Sequence, residues 1–290
     1  MSDHQEKDDV TGTDTTGHDW DGIKELNTPL PRWWLWTFYG TIVFAVVYML
    51  LYPAIPLVSA ATPGLLGWST RGDVAAEIQR FEDANAPLDE AIVTAELTAI
   101  ADDAALRNYA VRGGAAVFRT YCSQCHGQGA AGAEGGYPNL LDDDWLWGGD
   151  VEAIRYTIAH GIRNEVDPDA RYSEMPAYGE ILEDEEIAGL VQYVRSLSGA
   201  PHDAEAAAAV AEIFADNCAA CHGDAGMGDR DIGAPNLTDA IWLYGGDEAA
   251  IEHTIRYSRY GVMPPWANRL TEAEIRQVAV YVHGLGGGEE

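Results

Sequence analysis

The chain has 290 residues, with 47 Asp or Glu against 17 Lys or Arg, and a formal net charge of −30. A surface of that sign repels phosphate backbones, which excludes nucleic acid as a partner. The acidity is spread along the whole chain, which favours a salt-rich habitat slightly over the other reading, a docking surface for a basic protein.

In chain order, residues 1–32 come first, with eight acidic residues against Lys7, Lys24 and Arg32. Residues 1–22, rich in Asp, Thr and Gly, read as a disordered tail. Trp33 to Tyr52 then run for 20 positions without a charge, a length of about 30 Å as a helix and enough to cross a bilayer. Trp33, Trp34, Trp36 and Tyr39 gather at one end, and Tyr48 and Tyr52 at the other, as in interfacial belts. Val58-Ser59-Ala60 resembles a signal-peptidase site, but the apolar run is too long and the preceding segment too acidic for a cleaved signal. The reading is a retained anchor over residues 33–58. Lys24 and Arg32 precede it and the next basic residue is Arg71, which puts the N-terminus on the cytoplasmic side. Residues 59–107 form a spacer whose acidic, alanine-rich part, Ser69 to Arg107, looks helical with a break at Pro87 and carries no ligand pattern.

Beyond the spacer one pentapeptide pattern occurs twice, as Cys122-Ser123-Gln124-Cys125-His126 and Cys218-Ala219-Ala220-Cys221-His222. Two thiols at this spacing can each bond a vinyl group of one haem, and the histidine that follows is held beneath the iron. A zinc half-site does not require the histidine, and a redox dithiol does not require two copies of identical spacing. These four cysteines are the only ones in the chain, so none is left for a disulfide. Two covalently bound c-type haems are therefore expected.

The repeat extends well beyond the cysteines. Pro138-Asn139-Leu140 matches Pro235-Asn236-Leu237, and Trp145-Leu146-Trp147-Gly148-Gly149-Asp150 matches Trp242-Leu243-Tyr244-Gly245-Gly246-Asp247. The offset is 96 at the cysteines, 97 at these blocks and 88 at Met175-Pro176 and Met263-Pro264, because the first copy carries an insertion near Arg163 to Tyr172. Each copy closes with one helical face: Ile187, Leu190, Val191, Val194 and Leu197 in the first, and Ile275, Val278, Ala279, Val282 and Leu285 in the second. Thr271 and Glu274 form a capping-box start for the second. The expected fold is mainly α, with one N-terminal transmembrane helix followed by two tandem class I cytochrome c domains over residues 108–200 and 201–290.

Each iron needs a sixth ligand besides histidine. Met175 and Met263 correspond and each precedes proline, which favours a loop around the ligand; Met1, Met49 and Met227 have no such counterparts. A second thioether-ligated site with no vacancy is suited to carrying electrons rather than to binding oxygen or peroxide. Sequence economy favours pairs within a copy, His126 with Met175 and His222 with Met263, although an exchange giving His126 with Met263 and His222 with Met175 is open. The carbonyls of Pro138 and Pro235 are candidate acceptors for the imidazoles of His126 and His222. Trp145 and Trp242 either pack in the core or donate to a haem propionate. His160, His202, His253 and His283 read as surface residues.

The run from Asp21 to Trp34, Asp-Gly-Ile-Lys-Glu-Leu-Asn-Thr-Pro-Leu-Pro-Arg-Trp-Trp, leading into one anchor and two such haem domains, closely resembles the dihaem subunit III of bacterial cbb3-type cytochrome c oxidases. The resemblance implies thioether bonds at Cys122, Cys125, Cys218 and Cys221, proximal ligands His126 and His222, and distal ligands Met175 and Met263. It also implies partners: a soluble cytochrome c donor, a monohaem cytochrome c subunit, and a haem–copper catalytic subunit that reduces oxygen to water and pumps protons. This chain carries no ligand set for oxygen reduction. The implied place is the bacterial cytoplasmic membrane, with the haem domains periplasmic. One departure from the family pattern is Val210, where the first copy has Gly114, which implies a looser helix crossing in the second domain. The alternative functions are an anchored dihaem carrier serving a periplasmic dehydrogenase and, less favoured by the paired Met-Pro, a dihaem peroxidase.

Overall fold

The computed structural model describes residues 6–133 and 135–289, and the start of the expected tail, residues 1–5, lies outside them. The described chain forms two compact units, one up to Ala84 and one from Asn85 onward.

In the first unit, β1 (Thr15–Trp20) and β2 (Ile23–Leu26) form an antiparallel ribbon with Trp20 opposite Ile23. The expected disorder through residue 22 is therefore corrected. Asp21 and Gly22 take φ values of 55° and 91°, and an Asp-Gly pair of this kind makes the two-residue turn whose twist matches the strands. Helix α1 (Arg32–Leu51) buries none of its side chains in the protein and is apolar on every side, as a helix facing lipid must be. It is long and apolar enough to cross a membrane. It ends short of the expected limit at Val58 because Tyr52, ahead of Pro53, turns extended. The chain then folds back: the N–H groups of Leu65 and Leu66 donate to the carbonyls of Leu50 and Leu51, satisfying the helix end.

Helix α2 (Thr70–Thr94) continues through Pro87 where a break was expected. Pro87 and Asp83 both lie on an exposed face, so the hydrogen bond that proline removes can be replaced by water at the Asp83 carbonyl.

The second unit is helical. After α3 (Leu97–Ile100), α4 (Ala104–Val117) starts at Asp103, whose carboxylate accepts from the N–H groups of Ala105 and Leu106. A π-helical turn, Phe118–Cys122, leads into the short α5 (Ser123–His126). Then come α6 (Val151–His160), capped by Asp150, and α7 (Asp184–Leu197), with Glu183 and Glu186 as a capping box. In the second copy the sequence runs α8 (Ala204–Ala209), α9 (Ala211–Asn217), α10 (Ala219–His222), α11 (Glu248–Tyr257) and α12 (Glu272–His283). The capping box of Thr271 and Glu274 is present as expected.

These helices do not pack copy by copy. One core joins Ala110, Val117 and Phe118 with Val151, Ile154 and Ile158, all from the first copy, and with Leu270, Ile275, Val278, Ala279 and Val282 from the second. The other joins Ile187, Leu190, Val191 and Val194 of the first copy with Val210, Phe214, Ile251 and Ile255 of the second. Each closing helix has crossed to the other copy's attachment helix: α12 packs on α4, and α7 on α8 and α9. Each core is therefore built from helices of both copies. Burying each of these aliphatic side chains contributes roughly 1.5–3 kcal/mol, whereas lengthening the connecting loops costs only about 0.6 kcal/mol per doubling. Chain connectivity is thus a weak restraint, and side-chain fit decides the partner.

Candidate haem sites

In both copies the attachment helix leads into the turn that carries the cysteines and, one residue later, the histidine, and a glycine-rich loop then returns to the imidazole. His126 Nδ1 lies 3.1 Å from the carbonyl oxygen of Pro138, and His222 Nδ1 lies 3.1 Å from that of Pro235. A carbonyl only accepts, so Nδ1 carries the proton in each ring, and Nε2 is left with a lone pair for a metal. Burial lowers the pKa of both imidazoles, which keeps them neutral as a ligand must be, while the bond to the proline carbonyl opposes that shift. The loops repeat bond for bond: Gly132 and Gly228 donate to the carbonyls of His126 and His222, and Leu140 and Leu237 to those of Ala130 and Gly226.

Cys122 and Cys218 are half-buried, while Cys125 and Cys221 are exposed. Burial pushes the thiols of Cys122 and Cys218 up to about 11. A thiol raised in this way is a poor thiolate at neutral pH, which disfavours a redox dithiol. Neutral imidazoles and paired thiols suit a c-type haem.

Met175 packs against the core that contains Cys218, and its carbonyl accepts from the hydroxyl of Ser258. Met263 packs against the core that contains Cys122. Its backbone exchanges two 2.9 Å hydrogen bonds with Ile162, at the start of the insertion that distinguishes the first copy. The methionines thus accompany their closing helices into the other copy's body, and the favoured grouping within a copy, His126 with Met175 and His222 with Met263, is not the one that the packing brings together. Met227 is 68 % exposed, as befits a residue without a counterpart.

Of the two tryptophans considered as propionate donors, Trp145 gives its indole N–H to the carbonyl of Gly287 at 2.5 Å and packs against the first core. Trp242 packs in the second core against Gly246. Two residues after Trp145, Trp147 is 8 % exposed and its indole N–H has no partner among the described residues. Sequence reasoning passed over it; the signal was its alignment with Tyr244, another buried donor without a partner. His160 is no simple surface residue: its Nδ1 lies 3.1 Å from Asp167, which together with Asn164 shapes the insertion loop.

Comparison with known proteins shows the family to which the chain belongs. Residues 12–59 match the family model described as the N-terminal domain of cytochrome oxidase-cbb3, FixP. Residues 110–194 and 205–282 each match the model for cytochrome c oxidase, cbb3-type, subunit III. The chain is 62 % identical over 277 residues, 95 % of each chain, to the cbb3-type cytochrome c oxidase subunit CcoP of Cereibacter sphaeroides. It is 54 % identical over 286 residues to the subunit of the same name from Rhodobacter capsulatus, covering 95 % of this chain and 96 % of that one. It is 52 % identical over 292 residues, the full length of both chains, to the FixP subunit of a Bradyrhizobium species.

Proposed function

The chain belongs to the cytochrome c subunit III family of cbb3-type cytochrome c oxidases, and we propose that within such an oxidase it relays electrons through two covalently bound haems. The observation that carries this reading is the double occurrence of a histidine, half-buried at 126 and buried at 222, with its Nδ1 committed to a proline carbonyl at the end of a Cys-x-x-Cys turn. Covalent haem at Cys122 and Cys125 and at Cys218 and Cys221 supplies reversible one-electron chemistry on iron. The residues of the chain set its terms. His126 and His222 present a neutral Nε2, and the thioethers of Met175 and Met263 would supply the second ligands, which would favour a high potential and leave no room for oxygen or peroxide.

In this reading the ligand sets would follow the packing: His126 and Met263 would hold the haem bound at Cys122 and Cys125, and His222 and Met175 the haem bound at Cys218 and Cys221. A soluble cytochrome c donates the electrons. They leave by way of the monohaem subunit for the haem–copper subunit, where oxygen is reduced. Helix α1 anchors the chain in the bacterial cytoplasmic membrane with the N-terminus cytoplasmic and the haem domains periplasmic, as Lys24 and Arg32 on one flank favour.

The test is made on the purified oxidase complex. Changing Cys122 and Cys125 together to Ala is expected to leave one covalent haem on this chain after acid-acetone extraction, and changing all four cysteines to leave none. Complete removal of haem from the wild-type chain by the same extraction overturns the reading.

A further inference from the structure

The repeat arithmetic contains a second matched pair of residues near the methionines. Arg171 and Arg259 are related by the same offset of 88 as Met175 and Met263, each four residues ahead of its methionine. Trp147 and Tyr244 are counterparts at offset 97. The structure brings the members together within each copy: the Arg171 guanidinium lies 5.4 Å from the Trp147 ring centre, and that of Arg259 lies 4.9 Å from the Tyr244 ring centre. Both aromatic rings rest on a glycine of the other copy. Trp147 lies on Gly233 and Tyr244 on Gly136, where a Cβ would run into the rings. These two glycines hold φ values of 62° and 97°, and they occupy matching places in the loops from His222 to Pro235 and from His126 to Pro138.

The donors at these places have too few acceptors. The indole N–H of Trp147, the hydroxyl of Tyr244 and Nε of Arg171 are buried with no hydrogen-bond partner among the described residues. The bonds that the two guanidinium groups do make go to the carbonyls of Ala153, Tyr244 and Ala250 and to the Thr254 hydroxyl. Among the described residues neither arginine has a carboxylate within ion-pair distance, unlike Arg155, Arg195, Arg230, Arg256 and Arg276. Burial lowers the pKa of Arg171, and Tyr156 and the charge of Asp150 only partly oppose that shift. Such groups are retained in native proteins when an anion completes them, and a planar guanidinium beside a single N–H or O–H donor matches a carboxylate. No such carboxylate comes from the described chain.

We propose that Trp147 with Arg171, and Tyr244 with Arg259, are two propionate clamps, each holding a carboxylate of a different one of the two haems. The proposal rests on the haem reading above and adds what that reading lacks, namely the residues that hold the acidic edge of each haem. The guanidinium supplies positive charge beside the carboxylate, and a positive charge there favours the reduced haem. Seating each aromatic on the other copy's loop makes haem binding tighten the seam between copies.

The experiment uses the full chain within the detergent-solubilised complex, bearing Arg171→Gln, Arg259→Gln, their Lys equivalents or Tyr244→Phe. Haem content by pyridine haemochrome tests the haem reading separately, since wild type without covalent haem defeats that reading before the clamps are examined. Spectroelectrochemical titration and the propionate bending bands in resonance Raman spectra test the clamps. Arg171→Gln is expected to lower the potential of one haem and Arg259→Gln that of the other, each moving a propionate band. The Lys variants should recover part of each shift, and Tyr244→Phe, which removes one hydroxyl and little packing, should move the same haem as Arg259→Gln by a smaller amount. Potentials and propionate bands at wild-type values in both Gln variants, or both variants acting on one haem, would overturn the proposal.

Discussion

The two closing-helix contacts solve one problem from opposite sides. Where α12 crosses α4, the small residue is on the attachment helix: Gly114 lets the Gln277 backbone and Cβ of Tyr281 come close, and a Cβ at 114 would lie 2.7 Å from that of Tyr281. Where α7 meets α8, the small residue is on the closing helix. Gly189 faces Val210, whose Cγ1 would lie 2.5 Å from a Cβ added there. The valine that suggested a loose crossing is instead matched by a glycine on its partner, so that expectation is corrected. The comparison also shows why the helices exchange. Packing within copies would set Gly114 against Gly189 and leave a void, and would set Val210 against Gln277 with no small residue between them. Both mismatches cost stability, whereas the exchanged arrangement has one large and one small residue at each crossing. A network adds to the specificity: Gln277 Nε2 donates to Asp89, which also accepts from Tyr109.

The largest effect expected from breaking this comparison is on the haem potentials. Replacing Met263 by His should lower the potential of the haem attached at Cys122 and Cys125, by a sizeable part of the roughly 0.8 V range that axial ligands span. The drop should disappear when those two cysteines are removed and persist when Cys218 and Cys221 are removed. The reverse dependence in redox titrations would restore pairing within copies.

Next in size is the crossing itself. Gly189→Val forces a branched side chain onto Val210 and should cost on the order of 1–3 kcal/mol, as overpacked cores do. Combining it with Val210→Gly should recover about 1 kcal/mol or more of that loss, because contacting residues couple. Denaturant melts of the four proteins of this cycle measure the coupling, and strictly additive losses would remove Gly189 and Val210 as a matched pair.

A smaller effect is expected at Gln277. Its replacement by Leu leaves Asp89 and Tyr109 bonded to each other and removes one donor, so the loss should be about 1 kcal/mol, in keeping with one net hydrogen bond. Melts of Gln277→Leu against Tyr109→Phe check whether the core that joins α4 and α12 depends on this network.

The smallest is a pH effect at Asp144. Burial, with the charges of Asp239 and Asp142 adding to it, pushes its carboxyl up to about 6. A carboxyl raised in the folded state above its unfolded value destabilises the protein when ionised, so stability is gained as pH falls through about 6. Asp144→Asn should therefore raise the melting temperature at about pH 8 and leave it unchanged near pH 4, where the wild-type group is already protonated. Equal effects at both pH values would show that the charge of Asp144 is not what matters.

Much of this protein is local chemistry and was legible residue by residue. The paired Cys-x-x-Cys-His turns, the proline carbonyls 12 and 13 residues on, the capping boxes and the apolar stripes of α7 and α12 each depend on neighbours in sequence, and each lies where its pattern puts it. The anchor was legible for the same reason, although its end was not. Periodicity and composition see an apolar run, whereas Tyr52, Pro53 and the returning Leu65 and Leu66 decide where the backbone stops being helical. The ribbon at Thr15–Leu26 was missed because its cue is two turn residues, Asp21 and Gly22, within a polar segment. Which closing helix joins which core was beyond the sequence pattern altogether. The stripes of α7 and α12 are alike, and either could cover either core. The choice rests on the fit of Gly114 to Gln277 and of Gly189 to Val210, across 163 and 21 residues. Hydrophobic pattern specifies that a face is buried, and only steric fit in three dimensions specifies against what.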